Sequence, residues 1–253
     1  MTIFRKFKYR FMTYLSQRPH LSYSMAGEDR ILSHILKHHT GNKKISFVNI
    51  GAAHPIFLND TYYLVKKLRR QGKYGICVSV DPRPDLALIW KILRRKDIFL
   101  NVIVSNSEVS EFFFNPLDSH NSSSSEKWAA GLANTHKSES STIKCQPETI
   151  KLSDIFEKYE LSIFNGANNI YSVLIIDVEG FEFDVVQSNT WEKYQPDLIM
   201  IEICFPYALG LRDFTLDLLR DSRTHVFLST SGYTYYGGNG YSHFYLREKD
   251  LIS

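Results

Sequence analysis

The chain has 253 residues, enough for one well-buried core and short for two, since ordinary domains run to roughly 100–200 residues and α/β folds somewhat beyond. Its 43% hydrophobic and 23% charged residues exclude a disordered or fibrous chain. A formal net charge of +3 gives no ground for a nucleic-acid partner, and charges interrupt every apolar stretch before it reaches the length of a signal-peptide core or a membrane span. The expected location is therefore the cytoplasm.

Residues 1–20 carry Arg5, Lys6, Lys8, Arg10 and Arg18 without an acid, interleaved with Ile3, Phe4, Phe7, Phe11, Met12 and Leu15 at near-helical spacing. This is the pattern of a basic amphipathic helix. Such a helix can lie on the inner face of an anionic membrane, or it can pack on its own domain or on a second copy of the chain. Residues 21–253 read as a single domain. Apolar runs rich in β-branched and aromatic residues fall at about 46–51, 75–81, 100–105, 171–177, 198–204, 225–230 and 242–247. Helix-period stretches lie at about 26–39, 60–71, 85–95, 182–193 and 212–222, with Asp60-Thr61 placed to cap the second. Alternation of this kind predicts an α/β fold with a mainly parallel, doubly wound sheet. From about 115 to 142 the chain turns serine-rich and interrupts the alternation, which predicts a loop or lid. Cys77, Cys145 and Cys204 are odd in number and lack metal-ligand spacing, so neither a disulfide framework nor a zinc site follows.

Ligands of open parallel sheets bind beyond the carboxyl ends of the strands, so the informative residues stand where apolar runs stop. The first run ends in Asn49-Ile50-Gly51-Ala52-Ala53-His54-Pro55, whose small residues let a ligand approach the backbone. The second ends at Asp81-Pro82, with the acid 30 residues after Gly51, suited to the ribose hydroxyls of an adenosine-containing cofactor. A nicotinamide cofactor fits less well, because only one of the three glycines that cradle a pyrophosphate is present. A later run ends in Asp177-Val178-Glu179-Gly180, and the next in Glu202, which brings carboxylates from neighbouring strands towards one crevice.

Taken in order, Tyr23-Ser24-Met25-Ala26-Gly27-Glu28-Asp29, the Asn49–Pro55 turn, Asp60-Thr61-Tyr62, Val80-Asp81-Pro82, Lys151-Leu152-Ser153-Asp154 and Ile176-Asp177-Val178-Glu179-Gly180-Phe181-Glu182 resemble the FkbM-type methyltransferases over about residues 22–247. The resemblance implies a class I, Rossmann-like enzyme that uses S-adenosylmethionine, commonly to methylate a hydroxyl of a carbohydrate or sugar-nucleotide acceptor. It further implies that Ser24, Glu28, Asn49, Gly51, Ala52, Asp81, Pro82 and Asp177 surround the cofactor. The family usually has Asp where this chain has Asn49, a residue that still accepts a hydrogen bond. Activation of a hydroxyl needs a general base or a cation. Candidates for the base are His54, beside the cofactor turn, and then His243; Asp177 and Glu179 are further catalytic candidates. For the cation, Asp177 and Glu202 can hold Mg²⁺. Of the two devices the sequence favours His54, because no second amide or carboxylate stands beside Glu202.

Overall fold

Strand β1 (Lys44–Ile50) is buried at every position after its first residue, as expected of a strand covered on both faces. The computed structural model describes residues 22–115, 118–123, 143–159, 169–203 and 216–248. The amphipathic segment 1–20, most of the serine-rich stretch and Cys204 lie outside the described residues. In chain order, helix α1 (Glu28–His39) precedes β1, and α2 (Tyr62–Arg70) leads into β2 (Tyr74–Val80). Helix α3 (Leu86–Leu93), β3 (Ile98–Leu100) and β4 (Ile103–Val104) follow. Strands β5 (Phe112–Asn115), β6 (Asp118–Ser123), β7 (Ile143–Cys145) and β8 (Thr149–Ile150) precede α4 (Leu152–Lys158) and β9 (Ile170–Ile176). The chain continues through α5 (Glu182–Gln187), β10 (Leu198–Glu202), α6 (Leu216–Asp221), α7 (Arg223–Thr230), β11 (Tyr233–Gly238) and β12 (Ser242–Arg247).

Seven strands form one sheet in the order β11-β12-β10-β9-β1-β2-β3. The five from β10 to β3 are mutually parallel, and β12 runs antiparallel to both β10 and β11. Successive side chains of a strand face opposite ways, and the core divides accordingly. Val48, Ile50, Leu174, Ile176, Ile199 and Ile201 pack with α4, α5, α6 and α7 through Phe156, Val185, Leu219 and Leu228. Ile45, Phe47, Val173, Ile175, Leu198 and Met200 pack with Leu32, Ile35 and Leu36 of α1 and Leu64, Val65 and Leu68 of α2.

Some elements differ from the sequence expectation. The run at 225–230 is helix α7, not a strand: the Ser222 hydroxyl caps it by accepting the His225 amide at 3.1 Å, and Leu228 is wholly buried against the sheet. The strand of that region is β11, which begins only at Tyr233. The run at 100–105 divides, because β3 stays in the main sheet while β4 leaves it to pair with β8. Helix α5 stops at Gln187, where the Ser188 hydroxyl donates to Val185 O and the Trp191 indole to Val186 O, both at 2.7 Å. Strand β6 falls within the predicted serine-rich loop, and β5 and β7, which border that stretch, pair with each other and β5 with β6 in a small antiparallel sheet. Thr61 is the N-cap residue of α2, yet its hydroxyl donates to Asn59 Oδ1 and makes no cap bond.

A buried ion pair ties three strands together behind this frame. One carboxylate oxygen of Asp197 accepts the Ser172 amide and hydroxyl at 2.7 and 2.6 Å, and the other pairs with Arg247. Removing one partner strands the other charge, so Asp197→Ala should cost about 3–5 kcal/mol in chemical denaturation. A loss below about 1 kcal/mol would mean that water reaches Arg247.

Candidate active site

Strands β1 and β9 run in register to their last residues, Ile50 beside Ile176. From β1 the chain builds outwards through β2 and β3 on one side, whereas β9 and β10 fill the other, so the strand order reverses between β1 and β9. A crevice at the carboxyl ends of the strands is the geometric consequence. Gly51 begins its floor with φ of 80°, and a Cβ there would lie 1.6 Å from the carbonyl oxygen of Asp177. The Gly51 and Ala52 amides both donate to Val80 O at 2.9 Å, and the Asp177 amide donates to Ile50 O at 3.0 Å. Three strand ends are thereby stitched together around one glycine.

The cleft above is lined by Asn49, Gly51, Ala52, Ala53, Leu58, Asp60, Asp81, Pro82, Asp177 and Glu179, among others. Among the described residues, the non-glycine residues with positive φ are Ala53, Leu58 and Glu179, and all three line it. Such backbone strain gathers where a surrounding structure holds a site in shape. The Trp90 indole fixes one of these residues by donating to Ala53 O at 2.8 Å.

Asp81 follows β2 directly, as the sequence suggests, and its carboxylate faces the turn: one oxygen accepts the Ala53 amide at 2.8 Å, the other the Arg83 amide at 3.0 Å. Burial pushes the carboxyl up to about 6 in spite of these bonds. Each oxygen keeps a lone pair for a ligand hydroxyl. Beside it the wall is apolar, with Val80, Pro82, Val102, Ile103, Val104 and Phe112.

On the β9 side the site is anionic. Asp177, Glu179 and Glu202 bring carboxylate oxygens within 4.8 Å of one another, a grouping that can hold a metal ion. Asp177 is hydrogen-bonded to Glu202. Burial, then the charge of Glu202, raise Asp177 well above the carboxylate range, and burial pushes Glu202 up to about 7. Asp60, pushed up to about 8 by burial and by Asp177, and Glu182, pushed up to about 7 by burial, extend the acidic cluster. The cation in the cleft lining is Arg83, whose guanidinium is paired with Asp85 at 2.8 Å.

The other residues singled out from the sequence stand further back. Ser24 and Glu28 are buried beneath the cleft: Ser24 Oγ accepts the Asp29 amide at 2.9 Å and bonds Asp60, while Glu28 accepts the Ala26 amide and the Asn239 side chain, both at 2.8 Å. They order the acidic wall from behind. His54 sits on the turn but is absent from the cleft lining. Its Nδ1 accepts the Ile56 and Phe57 amides at 3.2 and 3.1 Å, and burial followed by the Arg83 charge lowers its pKa. His243 is wholly buried in β12, 5.9 Å from the Tyr235 ring, and burial pushes it down to about 4. Neither histidine faces the cleft as Asp177 does. Asp60 joins the site although the sequence offers it only as a cap and as part of the Asp60-Thr61-Tyr62 motif, with no place in the cleft. Phe112 is likewise hidden at the head of the serine-rich stretch.

The fold is thus a mixed α/β one, with an anionic cleft at the point where the order of its mainly parallel sheet reverses. Residues 49–224 match the family model of the methyltransferase FkbM domain, and the chain belongs to that family. No curated protein and no solved structure matches it.

Proposed function

We propose that the protein transfers the methyl group of S-adenosylmethionine to a hydroxyl oxygen of a carbohydrate or sugar-nucleotide acceptor in the cytoplasm. The observation that carries this reading is the charge of the cleft: the buried carboxyl of Asp81 and the half-buried ones of Asp60, Asp177 and Glu202 gather where Arg83 is already paired. Such a site favours a ligand with a sulfonium and an ammonium group. It disfavours the pyrophosphate of a nicotinamide dinucleotide, which would bring negative charge to a turn with one glycine. The reversal between β1 and β9, with helices packed on both faces, supports the doubly wound, Rossmann-like type.

Within this reading the Asp81 carboxylate receives the ribose hydroxyls, the apolar wall from Val102 to Phe112 takes the adenine, and the Asn49–Ala52 turn lies against the amino-acid portion. Bound S-adenosylmethionine supplies the electrophilic methyl group. The chain's own part is to orient the acceptor, exclude water and take up the hydroxyl proton. For the last step the geometry favours the Asp177–Glu202 pair over His54, whose Nδ1 is engaged by two amides. A carboxyl raised to about 7, as Glu202 is by burial, suits a general base. The same pair, joined by Glu179, supports a second reading in which it holds Mg²⁺.

Titration calorimetry should show heat with S-adenosylmethionine and none with NAD. Asp81→Ala should weaken that binding at least about tenfold, since a charged acceptor of buried hydroxyls is worth roughly 1.5–3 kcal/mol. Binding of NAD alone would overturn the choice of cofactor, and an unchanged affinity in Asp81→Ala would place the cofactor elsewhere.

A further inference from the structure

Helix α3 buries only one side. Leu86, Trp90 and Arg94, at helical spacing, face inwards, and Trp90 and Arg94 hold the cleft turn by donating to Ala53 O and Asn59 Oδ1 at 2.8 and 3.1 Å. The opposite side carries Leu88 and Ile92, 67% and 64% exposed, with Leu93 48% exposed beside them. Large aliphatic side chains one turn apart and this open to water mark a surface that something else covers. Around them stand Lys91, Arg95 and Lys96, all exposed and none in an ion pair among the described residues. The acids nearest in sequence are already engaged, Asp85 by Arg83 and Asp97 by Arg69 and Arg94.

We propose that this face of α3 is a docking surface for an anionic lipid bilayer, with Leu88, Ile92 and Leu93 entering the boundary of the acyl region and Lys91, Arg95 and Lys96 meeting headgroup phosphates. The charge decides among occupants. A second copy docked by a twofold axis would set Lys91, Arg95 and Lys96 against their own equivalents. The segment 1–20 of the same chain is equally basic, with five cations and no acid, and would be repelled from the same rim. An anionic bilayer satisfies both the apolar stripe and its cationic border. Because α3 grips the Ala53–Asn59 turn, contact there would hold the cleft beside the lipid surface, within reach of an acceptor carried on a lipid. The inference stands apart from the methyl-transfer reading, since lipid binding is measured without turnover.

The test is co-sedimentation of the full chain with phosphatidylcholine vesicles, with and without phosphatidylglycerol, alongside size-exclusion chromatography and thermal melting. The wild-type chain should bind the anionic vesicles and release at high salt. The double variant Leu88→Gln/Ile92→Gln should bind about tenfold more weakly or worse, with unchanged melting because both side chains are solvated. Four results would overturn the proposal. Absence of wild-type binding would remove α3 from any membrane contact, and full binding in the double variant would assign the contact to another surface, such as residues 1–20. A wild-type dimer that the double variant disperses would assign the face to a second copy. A marked fall in the double variant's melting temperature would show that the chain itself covers these residues.

Discussion

Gly51→Ala should abolish cofactor binding and turnover together. The added Cβ would sit 1.6 Å from Asp177 O, a backbone atom that no rotamer change can move aside, and the 80° φ at this position is unfavourable for any side chain. Relief requires β1 and β9 to part at their carboxyl ends. That breaks the Asp177 amide bond to Ile50 O and displaces the acidic wall from the Asp81 side of the cleft. Overpacking and left-handed strain each cost about 1–3 kcal/mol, so the variant should fold with a lowered melting temperature and show no heat with S-adenosylmethionine. Gly180→Ala is the matched control. Its φ of 97° carries the same backbone penalty, but no heavy atom lies within 4 Å of the place its methyl group would take, so binding should survive. If Gly51→Ala titrates like the wild type, the ligand does not lie on this turn.

The contrast between those glycines also marks what a sequence can reveal. That Gly51, Asp81 and Asp177 stand at strand ends follows from where the apolar runs stop, because a strand buried on both faces must be apolar to its last residue. That the end of β1 lies beside the end of β9 depends on pairings between residues more than a hundred positions apart, and no local pattern carries that. Asp60 belongs to the site because a tight turn, held by the Asn59 side chain on Ala52 O and His54 O, folds it back over the cleft. Read locally, it is only an acid before a helix. Residues 225–230 mislead for the opposite reason: β-branched and aromatic residues suggest a strand, but the Ser222 cap and the burial of Leu228 against the sheet decide for a helix. His54 is conspicuous in sequence as a histidine next to a glycine turn. Only the structure reveals that its ring spends its acceptor on holding that turn.

The pH dependence should separate the carboxylate pair from His54. Burial raises Asp60, Asp81, Glu182 and Glu202 to about 8, 6, 7 and 7, and raises Asp177 as well. A group whose folded pKa lies above its unfolded value stabilises the fold at low pH, and that contribution is lost as pH rises through the folded value. The empty protein should therefore melt progressively lower between about pH 6 and pH 8. S-adenosylmethionine, bringing positive charge to the same carboxyls, should restore more of the melting temperature at pH 8 than at pH 6. Glu202→Gln removes one of these charges, so the empty variant should melt higher than the wild type at pH 8 while losing about 10²-fold or more in turnover. The wild-type rate should rise with pH through the neutral range as the pair ionises, and that limb should vanish in Glu202→Gln. His54→Gln should keep the limb and lose less than about tenfold, because an amide oxygen can still accept from the turn. Excess chelator should leave the wild-type rate intact if the pair accepts the proton itself. A rate abolished by chelation and restored by Mg²⁺ would assign Asp177, Glu179 and Glu202 to a cation instead. A profile unchanged in Glu202→Gln but lost in His54→Gln would return the role of base to the histidine.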